Sequence, residues 1–184
     1  MADCELTYFS YRAMPQIYLA RFRQPPFAVA SAHWAIFLPE AYTTFDSFGI
    51  PIRGSLFHAR KDWNNAQSEP QVCSVQGLTH YERIDGFPLH TSQILLDCHC
   101  LKDTDVTAAQ LAHACTQTSE DRSFNYFTRN CQQWVKEVID YLVTHNVVSA
   151  DVYAEMESRG YKTLKEEGVD KSLSMCARGR RRKG

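Results

Sequence analysis

Residues 130–142 read NCQQWVKEVIDYL. Asn130 is a good helix N-cap, because its side-chain oxygen can accept from backbone N–H groups that a helix start leaves unpaired. Behind it, Trp134, Val135, Val138, Ile139 and Leu142 recur at the spacing of one apolar helix face. Cys131 stands three and four residues before Trp134 and Val135, so it heads the face that packs inward. This is the clearest helix in the chain, and it marks a change of character between a strand-like first half and a helical second half.

Working back from it, Thr107-Ala108-Ala109-Gln110 has the form of a capping box and predicts a helix through about Gln117. A shorter helix is expected from Ser149 to near Gly160. The first half reads as strands. PQIYLARF (15–22) and AHWAIFL (32–38) are apolar runs suited to a sheet interior. Pro39-Glu40-Ala41 reads as a tight turn, and YTTFDSF (42–48) as the return strand of a hairpin, broken by Gly49-Ile50-Pro51. SLFHAR (55–60) and QILLDCHCL (93–101) are further strands, with 61–92 polar and irregular between them. The expected architecture is α+β, an antiparallel sheet with helices packed on it. We expect one domain over residues 1–170 and a basic tail over 171–184.

The totals fit this. The chain has 184 residues, 44% hydrophobic and 22% charged, enough to bury a single core. A net charge of −1 gives no general attraction to nucleic acid or to an anionic membrane. No apolar run is long enough to cross a bilayer, and MADCELTYFS has no basic-then-apolar leader pattern. The seven cysteines are an odd number. Without a leader, that argues for reduced thiols and a cytoplasmic setting.

A thiol attacks as thiolate, and two things promote that form. One is the positive end of a helix dipole; the other is an imidazole that takes the proton. Cys131 has the first by position, and its own backbone N–H could stabilise an oxyanion. The imidazole must come from elsewhere. His33 opens the strand HWAIFL and is placed to meet a helix start packed on that sheet. In the hairpin expected here, His33 falls opposite Asp46 or Ser47, so Asp46 would orient the ring. His58 on the third strand is the competing orienting residue. The plainer readings are a small buried cysteine and a strand-end histidine bonded to backbone, and spacing alone does not displace them.

Two motifs in order add to this. His33-Trp34-Ala35-Ile36-Phe37, followed late by Asn130-Cys131-Gln132-Gln133-Trp134-Val135, resembles the permuted papain-like cysteine enzymes. These are the NlpC-type and lecithin retinol acyltransferase-like proteins, and the resemblance is closest to a fungal branch. It implies a permuted papain-like (NlpC-type) fold, with Cys131 as nucleophile, His33 as base and a third polar residue on the following strand. Family members often have histidine about a dozen positions on, where this chain offers Asp46; His58 has the residue type at twice the spacing. The implied activity is acyl transfer through a thioester on Cys131, with an amide, ester, thioester or aminoacyl ester as donor. The acyl substrate is a small molecule or a peptide, and no cofactor is expected. An isopeptidase and a non-catalytic binding module of the same fold are the competing readings.

Cys98-His99-Cys100 suggests a metal, but strand alternation splits His99 from the two thiols and no second spaced pair exists, so no metal site is expected. Trp34, Trp63 and Asn130 are candidate substrate contacts; Trp34 and Trp134 also suit a core, and Trp63, in KDWNN, is the better-placed aromatic. ARGRRRKG (177–184) could touch phosphates, and would help recruit a tRNA if the donor were an aminoacyl-tRNA. No membrane partner is expected.

Overall fold

The computed structural model describes residues 16–23, 32–61, 76–101, 104–120, 123–125 and 130–161. The segment around Trp63 lies outside these residues. So does the basic tail, and with it the expected tRNA contact.

The fold is α+β. Six strands run as β1 (Tyr18–Arg23), β2 (Ala32–Pro39), β3 (Gly54–Lys61), β4 (Gln76–Phe87), β5 (Leu95–Cys100) and β6 (Ser123–Asn125). They form one antiparallel sheet in the order β5-β1-β2-β3-β4-β6. Three helices follow: α1 (Ala108–Ser119), α2 (Cys131–Thr144) and α3 (Asp151–Ser158). The capping box at Thr107 and Gln110 forms as the sequence predicts, and Asn130 caps α2 by accepting from the N–H groups of Gln132 and Gln133.

Alternation along the strands separates two apolar faces. Trp34, Ile36, Leu38, Phe57 and Ala59 point to the helices and pack with Cys131, Trp134, Val135, Val138, Ile139 and Leu142. Tyr18, Ala20, Phe22, Ala35, Phe37 and Leu56 form the other face, closed by Leu89 from the 3-10 turn Leu89–Thr91. The chain after α3 returns to the first face. Tyr161 sets its ring edge-on against Trp34, with centroids 5.1 Å apart, and donates to Asp97 at 3.2 Å. Asp97 also holds Arg21, whose Nε donates at 2.7 Å, and the Arg21 guanidinium lies over the Tyr161 ring.

Two expectations are corrected. Residues 42–48 are not a strand. The Asp46 carboxylate accepts from the N–H groups of Phe48 and Ile50, Gly49 takes φ 75°, and Phe45 bridges back to Pro51. This side chain–backbone bonding closes a turn and outcompetes strand pairing. The strand that pairs with β2 is therefore β3, through Pro39↔Gly54 to Ile36↔Phe57. The second correction lies in 61–92, read as irregular: its later part forms β4, the longest strand, with β6 on its outer edge.

The position of the site follows from where pairing stops. Strand β2 pairs with β1 from Phe37 down to Ala32, but with β3 only from Pro39 to Ile36. From His58 to Lys61, β3 is paired with β4. The sheet thus parts between β2 and β3 at the His33 end, and the head of α2 fills the gap.

Candidate active site

Besides its apolar side-chain packing, the head of α2 reaches the backbone of the sheet. Ala32 and Trp34 are two residues apart, so their backbone groups face the same edge of β2. That edge is the one β3 has left. The Gln132 amide nitrogen donates to the Ala32 carbonyl at 3.3 Å. The Cys131 sulfur lies within reach of the Trp34 N–H and of the N–H groups of Cys131 and Gln132. The predicted nucleophile is thus seated at the amide that follows the predicted base.

His33 is turned to a different partner. Its Nε2 stands 3.2 Å from His58 Nδ1, with the rings edge-to-face at 5.2 Å. One imidazole donates and the other accepts. His58 Nε2 in turn lies 3.4 Å from Glu82 Oε2, its directly opposed residue on β4. A line of three side chains, His33, His58 and Glu82, crosses three adjacent strands. By strand parity His33 goes with Ala35 and Phe37, and His58 with Leu56, so both rings belong to the face away from the helices. Cys131 comes from the helix side. Cys131 meets β2 at the backbone of Trp34, the residue after His33.

Burial sets the charges. It pushes the Cys131 thiol up to about 11, although the Trp34, Gln132 and Cys131 N–H groups pull the other way. It holds His33 down at about 4, with the His58 charge adding to the effect. The helix start is expected to acidify Cys131; here the residue is 5% exposed, and desolvation of the thiolate outweighs the pull of the three N–H groups. The resting pair is a neutral thiol and a neutral imidazole.

The remaining candidates fall as follows. Asp46, expected to orient His33, sits in the turn at the opposite end of β2 with its carboxylate engaged by Phe48 and Ile50. His58, the alternative, is the residue that meets His33. The connection of residues 40–53 between β2 and β3 explains why it is 25 positions on rather than a dozen. Glu82 was missed; only the β3–β4 register, which the sequence does not display, brings it opposite His58. Trp34 is 2% exposed and belongs to the core, and Asn130 accepts with its side-chain oxygen at the α2 cap. Cys98 and Cys100 share a face while His99 turns to Tyr161. Among the described residues no group of three or more His, Cys, Asp or Glu is arranged to hold a metal, and no helix is long and apolar enough to cross a membrane.

The span that contains His33, His58, Glu82 and Cys131 is also the span that matches known sequences. The chain belongs to the DUF6540 family. The match covers residues 17–149, and the family is described as one of unknown function. Comparison with curated proteins and with solved structures returned no match. Within the DUF6540 match lie all six strands, α1 and α2; α3 and Tyr161 fall beyond it.

Proposed function

We propose that this DUF6540 protein is a cysteine-dependent acyl-transfer enzyme with a permuted papain-like arrangement. The observation that carries this is that Cys131 meets the Trp34 N–H, one residue from His33, which heads the line His33, His58, Glu82. Cys131 Sγ attacks a carbonyl carbon across the β2–β3 gap, and the thiol proton passes to His33. The carbonyl π pair moves to oxygen, where the Cys131 N–H meets it. Collapse expels the leaving group, which takes the proton from the imidazolium, and leaves a thioester on Cys131. Water or an amine then releases the acyl group as its proton returns through His33. His58 meets the His33 ring, and Glu82 lies close enough to His58 to offset charge on the pair, without a hydrogen bond to its Nε2.

A His33 imidazole held at about 4 stays in its base form at neutral pH, though it is a weak base. Exposure of the gap to water or substrate is what would raise it and lower Cys131. The same two shifts favour a second reading, a binding module that keeps the arrangement without turnover. Acyl probes decide between them. On the enzyme reading, activated thioesters acylate Cys131, and both Cys131→Ala and His33→Ala abolish turnover without loss of fold. Full turnover in either variant, or no Cys131 adduct with any probe, would rule out the enzyme.

A further inference from the structure

Gln132 is next to Cys131 and 3% exposed. Its Nε2 faces the Ala32 carbonyl, which fixes the amide orientation, since only the nitrogen can donate there. Its Oε1 is buried and has no hydrogen-bond partner among the described residues. A buried acceptor left empty is costly, and native cores seldom keep one without a reason. The helix does not need this group, because Asn130 supplies the cap. Volume does not need it either, because methionine would fill the same space.

Position gives the reason. Cys131 is at Trp34 and the Gln132 amide is at Ala32, residues whose Cα atoms are about 6.6 Å apart along one strand edge. An acyl group on Cys131 with an N–H on its α-carbon would bring a donor into this neighbourhood, where Oε1 lacks one. We infer that Gln132 Oε1 accepts a hydrogen bond from an N–H on the α-position of the acyl group that Cys131 attacks. The substrate class is then an aminoacyl or N-acylaminoacyl compound rather than a plain fatty acyl ester. This rests on the acyl-transfer reading above and narrows it.

The test uses two thioester probes of N-acetylcysteamine on the full chain. One carries N-acetylglycine; the other carries acetoxyacetate, in which oxygen replaces the N–H. Acylation of Cys131 is timed by intact-protein mass spectrometry, and each rate is divided by that of glutathione with the same probe. The wild-type chain should favour the N–H probe about tenfold or more, because the oxygen isostere leaves Oε1 unpaired. In Gln132→Met the ratio should fall to about one, and in Gln132→Glu, which keeps an acceptor, it should remain above one. Equal wild-type rates overturn the inference alone, even if Gln132→Met does not fold. A preference that survives in Gln132→Met does the same. No acylation of Cys131 by either probe removes the acyl-transfer reading and this inference with it.

Discussion

His33 and Cys131 are both kept neutral by burial, and each has a measurable consequence. In the folded chain, iodoacetamide should label Cys131 slowly at pH 8 and speed up only as the pH climbs through 9 toward about 11; in urea the same peptide should titrate as an ordinary thiol. Rapid labelling of Cys131 at pH 7, tracked peptide by peptide in a mass spectrometer, would contradict the closed geometry. Behind His33, removing the ring that positions it should matter more than removing the carboxylate behind that ring. His58→Ala should slow acylation of Cys131 by roughly a hundredfold, and Glu82→Gln by less, with the fold intact by circular dichroism. Equal rates in all three chains would detach this line of side chains from the chemistry. At this scale the places of Cys131 and His33 in the fold were legible because each sits at the end of an element with a strong signal. It was not informative about what His33 touches. Counting residues assumed a tight hairpin, and a turn closed by Asp46 moved the next strand along by a dozen positions. Glu82 needed a register between two strands separated by residues 62–75, which no local pattern carries.

The helices were legible as elements because their caps and apolar stripes are local. The cap at Asn130 satisfies two N–H groups at the head of α2, so Asn130→Ala should cost about 1 kcal/mol and lower the melting temperature by several degrees. It should also loosen Cys131, seen as faster thiol exchange; a thermal midpoint unchanged within error would deny the cap that role. The β2–β3 corner is constrained by close approach. A Cβ on Gly54 would lie 2.3 Å from the Leu38 carbonyl oxygen and 2.6 Å from the Phe37 ring, so Gly54→Ala must push strands β2 and β3 apart. We expect a loss of about 1–3 kcal/mol in urea unfolding, larger than for alanine at the open Gly160 corrected for its positive φ. Strand β4 was hidden for a different reason. Its residues Thr79–Asp85 alternate polar groups with aromatic and aliphatic ones, and the flanking Gly77, Gly86 and Pro88 resemble loop punctuation. Pairing with β3 on one side and β6 on the other overrides those weak local preferences.

Across the whole molecule, the buried imidazole ties stability to pH. Because the folded value of His33 lies below the ordinary 6.5, the unfolded chain binds the extra proton first as the pH drops. The contribution is therefore intact above about 6.5 and is lost on the way down to about 4. A fall of that size is worth about 3 kcal/mol at most. The urea midpoint of the wild-type chain should decline over that window, and that of His33→Gln should decline less; parallel curves would show that His33 is not the group responsible. The layering of sheet and helices followed from the order of strand-like and helix-like segments. The parting of β2 from β3 did not, because it depends on which backbone groups a distant helix takes over. One further consequence concerns where the molecule can be cut. The family match ends at residue 149, yet Tyr161 closes over Trp34, and Val152 and Met156 lie in the same core. A fragment trimmed to the matched span would leave the indole that adjoins His33 open to water and the Arg21–Asp97 pair without its hydroxyl donor. A fragment that keeps this packing has to run through Tyr161, so fragments for recombinant work should be drawn to that residue rather than to the family boundary.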